Sequence, residues 1–428
     1  METKGKNTNK KFGTIFNNDI NNILYAMDKN EATPERYLAA LNGILDAGPG
    51  ILAQNVGMPE AVIYRSDIEN TFNKYLVEVT KITWPGDDAT EAENEAGVLK
   101  SLMDQGKDPL KLTVEACRER NVKIVASYRM NAEDCYDNTW MLSDFGRAHP
   151  EYRIKDPDNE KSSYKHKKTP GNEGFFGCLD PAIPEVYDHR MMIFADVAKN
   201  YDIDGIEFDF RRWTKMISDP PVNHPILTQM VRDTRKMLDE TAKAKGRDRM
   251  ILGVRVGPSI ETRGRIYDGG NTDNDISSIE LGLDIRTWIK EEIADYICPS
   301  LFWPTWPGLP ETAEFAELSK TKDIGVYPTL FPLPAWLSEE GTYKGPIKPD
   351  EKDKMQKYKD EFCRLALRLY DEGADGISTF NWYFHLAELG GKLWEDYRYG
   401  RGGLSIQKNI LLKSSDPGEL ERYLKTVY

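Results

Sequence analysis

Tyr201-Asp-Ile-Asp-Gly-Ile-Glu-Phe-Asp-Phe-Arg-Arg-Trp213 begins apolar and ends in a dense set of charges. Ile203, Ile206, Phe208 and Phe210 give it the content of a buried β-strand. Side chains alternate between the two faces of a strand, so Glu207, Asp209 and Arg211 share one face. Two carboxylates and a guanidinium on a buried strand are costly unless they pair or face a cleft. The stretch therefore reads either as an ion pair inside the fold or as the floor of an active site, and the rest of the chain decides between them.

Three short apolar strands are expected before it, at Lys11–Phe16, Gly50–Asn55 and Asn121–Ser127. Four follow it, at Met250–Val256, Ala294–Phe302, Ile324–Tyr327 and Ala374–Phe380. Helices are expected between them. Thr33-Pro34 and Asp108-Pro109 supply N-cap and first-turn residues for two. Others are read at Pro184–Lys199, Pro225–Ala244, Ile285–Glu292, Glu311–Ser319 and Asp350–Tyr370. Eight strands alternating with helices predict a parallel sheet, and eight such units fit a (β/α)8 TIM barrel with long βα-loop insertions. The insertions run from strand two to about residue 107, without an obvious period, and over residues 135–180. Both follow strands, which places them on the carboxyl-terminal face where such barrels keep their chemistry. An open doubly wound sheet is the alternative, but no G-x-G-x-x-G or P-loop follows the first strand. No internal repeat or low-complexity linker divides the chain. Residues 1–428 read as a single TIM-barrel domain, with a strand core at about 12–385 and a C-terminal helical extension at 386–428.

Composition narrows the partners. A net charge of -13 argues against nucleic acid or an anionic membrane surface, and no run of about 18 apolar residues is present to span a bilayer. The first residues, Met1 to Lys11, lack the apolar core of a signal peptide. The expected location is cytoplasmic, or secreted or periplasmic if a signal peptide has been removed. The five cysteines are scattered without a C-x-x-C pair, which favours neither a disulfide scaffold nor a zinc site. Only five histidines are present, without H-x-H or H-x-x-x-H spacing, so no metal or cofactor is expected, a hard cation near Asn17 to Asp19 being the minor alternative. The sequence sets no oligomeric state.

In a barrel the strand ends converge on one bowl. They would bring Asn17, Asn18 and Asp19, Arg129 and Asn131, Glu207, Asp209 and Arg211, and Arg255 together. Glu261 follows strand five, and Asp134 follows Asn131. Trp303 and Trp306 follow strand six, and Asn381 and Trp382 follow strand eight. Acids, amides, arginines and aromatic rings in one bowl suit a sugar. Paired carboxylates flanking a glycosidic bond supply an acid and a base or nucleophile, while flat rings and a few polar groups orient the substrate.

These same residues carry a resemblance. Leu179-Asp-Pro-Ala-Ile-Pro-Glu-Val-Tyr187 followed by Tyr201 to Arg212 resembles the signature of the glycosyl-hydrolase-like-10 group, with Asp204, Gly205, Asp209 and Arg212 on its D-G-x-x-x-D-x-x-R motif. Ser127-Tyr-Arg-Met-Asn131 and Gly282-Leu-Asp-Ile-Arg-Thr-Trp-Ile-Lys290 are similar to a bacterial subset of it, and the resemblance spans roughly residues 12–385. It implies a TIM barrel and a carbohydrate substrate. The chain departs from that subset after Asn131, where Ala132-Glu-Asp-Cys-Tyr-Asp137 replaces an Asp and His. Motif spacing selects Arg212, whereas alternation puts Arg211 on the face of Asp209.

The expected activity is a glycoside hydrolase that cleaves a poly- or oligosaccharide. Asp209 would be nucleophile or base, and Glu207, one pleat deeper, would orient or pair. Glu261 and Asp134 are the candidates for the general acid. Asn18, Asp19, Arg129, Asn131, Arg211, Arg255, Trp303, Trp306, Asn381 and Trp382 would bind substrate. A non-catalytic carbohydrate-binding barrel and a polysaccharide lyase are the rival readings.

Overall fold

The computed structural model describes residues 12–19, 21–24, 27–58, 60–71, 74, 89–131, 142–154, 178–211, 216–261, 277–301, 308–332, 334–339, 342–343, 347, 350–380, 382 and 405–427. The strands that build the barrel are β1 (Ile15–Asn18), β2 (Ile51–Met58), β3 (Lys123–Arg129), β4 (Gly205–Asp209), β5 (Ile251–Val256), β6 (Tyr296–Pro299), β7 (Gly325–Val326, continued by Thr329–Leu330) and β8 (Ser378–Phe380). Each pairs in parallel with its neighbours in chain order, and β1 pairs with β8 in the register Ile15 to Ser378. β7 closes the circle: Gly325–Val326 pairs with β6, and Thr329–Leu330 pairs with β8. The fold is a (β/α)8 TIM barrel.

Pro328 interrupts β7. A proline donates nothing to a ladder and is disfavoured in an interior strand. The strand still bonds on both sides, because Gly325 and Tyr327 donate their amides to Asp295 and Ile297 while the carbonyls of Val326 and Pro328 accept from Asp375 and Ser378.

Alternation divides the strand residues. One set, including Ile15, Ile51, Ala53, Val125, Tyr296, Cys298 and Tyr327, fills the barrel interior. The other, including Phe16, Leu52, Ile124, Ile206, Phe208, Leu252 and Ile297, joins the larger layer beneath the helices. Two tyrosines fit inside only because glycine stands next to them. A Cβ on Gly253 would lie 2.0 Å from the Tyr296 ring, and one on Gly376 would lie 2.6 Å from the Tyr327 ring.

The longer helices among the described residues are α1 (Pro34–Leu45), α2 (Ala89–Asp104), α3 (Pro109–Glu119), α4 (Pro184–Asn200), α5 (Pro220–Ala244), α6 (Ile285–Glu291), α7 (Thr312–Ser319), α8 (Lys352–Asp371), α9 (Ser405–Lys413) and α10 (Pro417–Leu424). Thr33 caps α1 through the Arg36 amide, and Asp108 caps α3 through the amides of Leu110 and Lys111, as their sequences predict. In the C-terminal extension, α9 and α10 pack on α8. Gln407 donates to the Tyr358 hydroxyl, and Lys359, fully buried, donates to the carbonyl of Tyr423 at the end of α10.

Four expectations change. β1 runs through Asn17 and Asn18, and β2 reaches Met58, because polar residues at a barrel strand's end still face the interior. α5 starts at Pro220, five residues before Pro225, so Pro225 lies inside the helix instead of opening it. The segment after β2 contains α2, whose buried face is Ala96, Val98, Leu99 and Leu102. β8 is three residues long and β6 four, shorter than their apolar runs.

Candidate active site

β4 presents Glu207 and Asp209 on successive inward pleats. In register, Ser127 and Arg129 of β3 stand beside them on one side, and Gly253 and Arg255 of β5 on the other. Glu207 is fully buried. Its Oε1 accepts from Asn17 Nδ2 at 2.7 Å and from Ser127 Oγ at 2.8 Å, and its Oε2 accepts from the Tyr296 hydroxyl at 2.8 Å. A buried carboxylate needs such donors to offset its lost hydration. Gly253 leaves the space in which the Tyr296 ring reaches Glu207. Burial, and after it the charge of Asp209, pushes the Glu207 carboxyl above its ordinary value, against the hydrogen bonds from Ser127 and Tyr296.

Asp209 sits one layer higher. Its Oδ2 accepts from Arg255 Nη1 at 2.8 Å, and its Oδ1 accepts from the Arg211 amide at 2.8 Å. Arg255 also donates to Ser300 Oγ at 3.0 Å, and its guanidinium lies 3.9 Å above the centre of the Phe380 ring. Arg211 donates from Nε to the Ser300 carbonyl at 2.7 Å. This unit ties together the ends of β4, β5, β6 and β8. On the β3 side, Arg129 pairs with Asp19, and Asn18 donates to Gln54 Oε1 at 2.7 Å. Both pairs are buried, and the Arg129 and Asp19 charges depend on each other.

Asn18, Asp19, Arg129, Asn131, Glu207, Asp209, Arg211 and Arg255 are therefore all buried at the carboxyl-terminal ends of their strands. Glu261 is not among them. Its exposed side chain pairs with Arg286 on α6, whose guanidinium holds the Glu261 carboxyl below its ordinary value. Trp382 also differs from expectation. It is fully buried against Phe362 of α8 with its indole N–H on the Leu330 carbonyl at 3.0 Å, so it packs the barrel wall and offers no face to a sugar. Asp134, Arg212, Trp303, Trp306 and Asn381 lie outside the described residues. Asp204 serves the strand entry, where its Oδ2 accepts from the Ile124 amide and from Arg118 Nη1.

The site also uses Gln54, Ser127, Tyr296, Ser300 and Phe380, which carry no charge to draw attention in the sequence. Alternation could have found Ser127, two residues before Arg129. Tyr296 and Ser300 become legible only once Gly253 and Arg255 are known to be their neighbours. Asn17, Asn18 and Asp19, the candidates for a hard cation, are engaged by Glu207, Gln54 and Arg129. Among the described residues no group of three or more His, Cys, Asp or Glu is arranged to hold a metal ion.

A family model matches the region that carries Arg129, Asn131, Glu207, Asp209 and Arg211. Residues 66–224 match the model of the family Glycosyl hydrolase-like 10. The chain resembles that family. The match is narrower than the resemblance read from motifs, and it leaves Asn18, Asp19, Arg255, Glu261 and Trp382 outside. Glycosyl hydrolase DigH of Escherichia coli K12 is 24% identical over 216 residues, 46% of this chain and 47% of that protein. Glycosyl hydrolase YngK of Bacillus subtilis 168 is 24% identical over 222 residues, 47% of this chain and 40% of that protein. The chain spans about half the length of the curated relatives it matches. Among solved structures, it is similar to alpha-L-fucosidase isoenzyme 2 from Paenibacillus thiaminolyticus, with a TM-score of 0.46 at 12% identity over 96% of this chain and 49% of that one. It is also similar to a maltogenic alpha-amylase, AmyB, from Thermotoga neapolitana, with a TM-score of 0.42 at 11% identity over 97% of this chain and 77% of that one.

Proposed function

We propose that the chain is a glycoside hydrolase acting on a poly- or oligosaccharide, with Asp209 as nucleophile or base. The observation that carries this is the pair of carboxylates on successive inward pleats of β4, the upper one at the mouth of the barrel between Arg129 and Arg255. Asp209 touches the reacting sugar in this reading. Glu207 is a positioning residue, held by three donors beneath it. Arg129, Arg211, Arg255, Asn18, Asp19 and Asn131 fix hydroxyl or acidic groups of the substrate. Of the two acid candidates we take Asp134, which follows Asn131 by three residues, because Glu261 is engaged by Arg286 at the surface. The separation of the two carboxyl groups in the substrate complex decides between retention and inversion, about 5 Å against 6.5–9.5 Å.

One observation favours a second reading, a barrel that binds carbohydrate without cleaving it: both oxygens of Asp209 and both of Glu207 already have protein donors. Reducing-end release across a panel of algal, plant and host glycans, with wild type beside Asp209→Asn, separates the two. Hydrolysis predicts turnover of one glycan class that falls by orders of magnitude in the variant. Equal turnover in both proteins removes Asp209 from the chemistry. Binding of a glycan without turnover in either protein supports the second reading.

A further inference from the structure

β2 carries a polar side chain toward the bowl that the proposed chemistry does not use. Asn55 stands in register with Ser127 of β3, which bonds Glu207, and two residues beyond Ala53, which faces the barrel interior. Alternation therefore points Asn55 inward. It is 2% exposed, as deeply placed as Asp209 and Arg255. Among the described residues, nothing donates a hydrogen bond to its Oδ1.

The strand is shaped around this residue. Its pairing with β3 shifts immediately afterwards, from Asn55 opposite Ser127 to Gly57 opposite Tyr128, so Val56 is the extra residue of a β-bulge. Gly57 permits the shift, since a Cβ there would lie 2.6 Å from the Tyr128 ring. The carbonyls at the break are both provided for. Gln54 Nε2 donates to the Asn55 carbonyl at 3.0 Å while Asn18 holds Gln54 Oε1, and the Ile63 amide donates to the Val56 carbonyl at 3.1 Å. Bulges beside active sites re-aim side chains. Here the backbone is satisfied and the carboxamide is not, at a cost to the free protein that a bound ligand would offset. The group that meets Oδ1 must donate. A sugar hydroxyl does so, whereas a carboxylate or sulfate ester on the sugar cannot.

We propose that Asn55 is a specificity-determining contact of the bowl, its carboxamide accepting from a hydroxyl of the bound sugar ring. The inference rests on the carbohydrate reading of the site. It selects a ring that turns a free hydroxyl, not an acidic substituent, toward β2.

Asn55→Ala is compared with wild type, first without glycan. The variant melts within about 1 °C of wild type or above it, because no bond to Oδ1 inside the protein is lost. Both proteins are then assayed on laminarin, xylan and hyaluronan. On a glycan that wild type cleaves, kcat/KM falls at least about 10-fold in the variant, and on one that it binds without cleaving, the affinity falls as much. Crystals of Asp209→Asn soaked with oligosaccharides of that glycan place a sugar hydroxyl within hydrogen-bond reach of Asn55, which tests the contact independently of the alanine variant. A Tm about 3 °C or more below wild type, or a variant that does not fold, makes Asn55 structural and overturns the proposal. So does undiminished kcat/KM or affinity, or a water in place of the sugar oxygen at Asn55, and these results leave the carbohydrate reading standing. A wild type that neither cleaves nor binds any of the three glycans fails that reading, and the proposal with it.

Discussion

Arg255 Nη1 lies 2.8 Å from Asp209 Oδ2, and both side chains are 1% exposed. A buried pair of this kind is strained by losing one member more than by losing both. Arg255→Met would leave the Asp209 carboxylate buried with only the Arg211 amide, at about 3–5 kcal/mol. Adding Asp209→Asn to that variant removes the stranded charge and should restore part of the loss. The expected coupling in a double-mutant cycle, from urea unfolding, is at least about 1 kcal/mol. Strict additivity would mean that the two groups do not depend on each other.

Glu207 should link stability to pH. Its carboxyl is raised above its ordinary value by burial, so the folded protein holds this proton more tightly than the unfolded chain, whose glutamates titrate near about pH 4.3. The stabilisation is complete below that pH and is lost as pH rises through the folded value. Glu207→Gln keeps the shape, and the Tyr296 hydroxyl can turn to accept from the new amide. The stability of wild type relative to this variant should therefore fall as pH rises above about 4 in urea melts. A difference that stays constant with pH would show that no proton on Glu207 is linked to folding.

Gly253→Ala tests the interior packing. The new Cβ would meet the Tyr296 ring at 2.0 Å, and that ring is held in place by its bond to Glu207. Relief requires the ring or the strand to move, so the expected loss is about 1–3 kcal/mol or more. Guanidinium unfolding measures it. A loss below about 0.5 kcal/mol would mean that Tyr296 is free to swing, and that its bond to Glu207 is dispensable.

The barrel was legible in the sequence because eight apolar runs alternated with helix openings such as Thr33-Pro34 and Asp108-Pro109, signals written locally. The cluster of charges at the end of β4 was legible for a similar reason, since alternation alone put Glu207, Asp209 and Arg211 on one face. What local pattern could not show was partnership. Whether Arg129 belongs to Asp19 or to Asp209 depends on strand neighbours far apart in sequence. Glu261 is charged and follows β5, yet chain direction after the strand carries it to Arg286 at the surface. Trp382 follows β8 as a subsite residue would, yet the contact with Phe362 decides its place. α2 escaped detection because its first half carries Glu91, Glu93 and Glu95 with only alanines as apolar residues, and its larger apolar residues, Val98, Leu99, Leu102 and Met103, all fall in its second half.

The pairing of β1 with β8 joins the first and last strands of the barrel, Ile15 to Ser378. During synthesis the first strand can bond to β2 as soon as that emerges, but its other edge must wait until nearly the whole barrel has left the ribosome. For that interval the nascent protein is an open, growing sheet with an unguarded margin, the kind of edge on which strands from other chains can build. The ring of strands is thus completed late, and the polar bowl, which draws on both β1 and β8, can only be assembled after that joint is made.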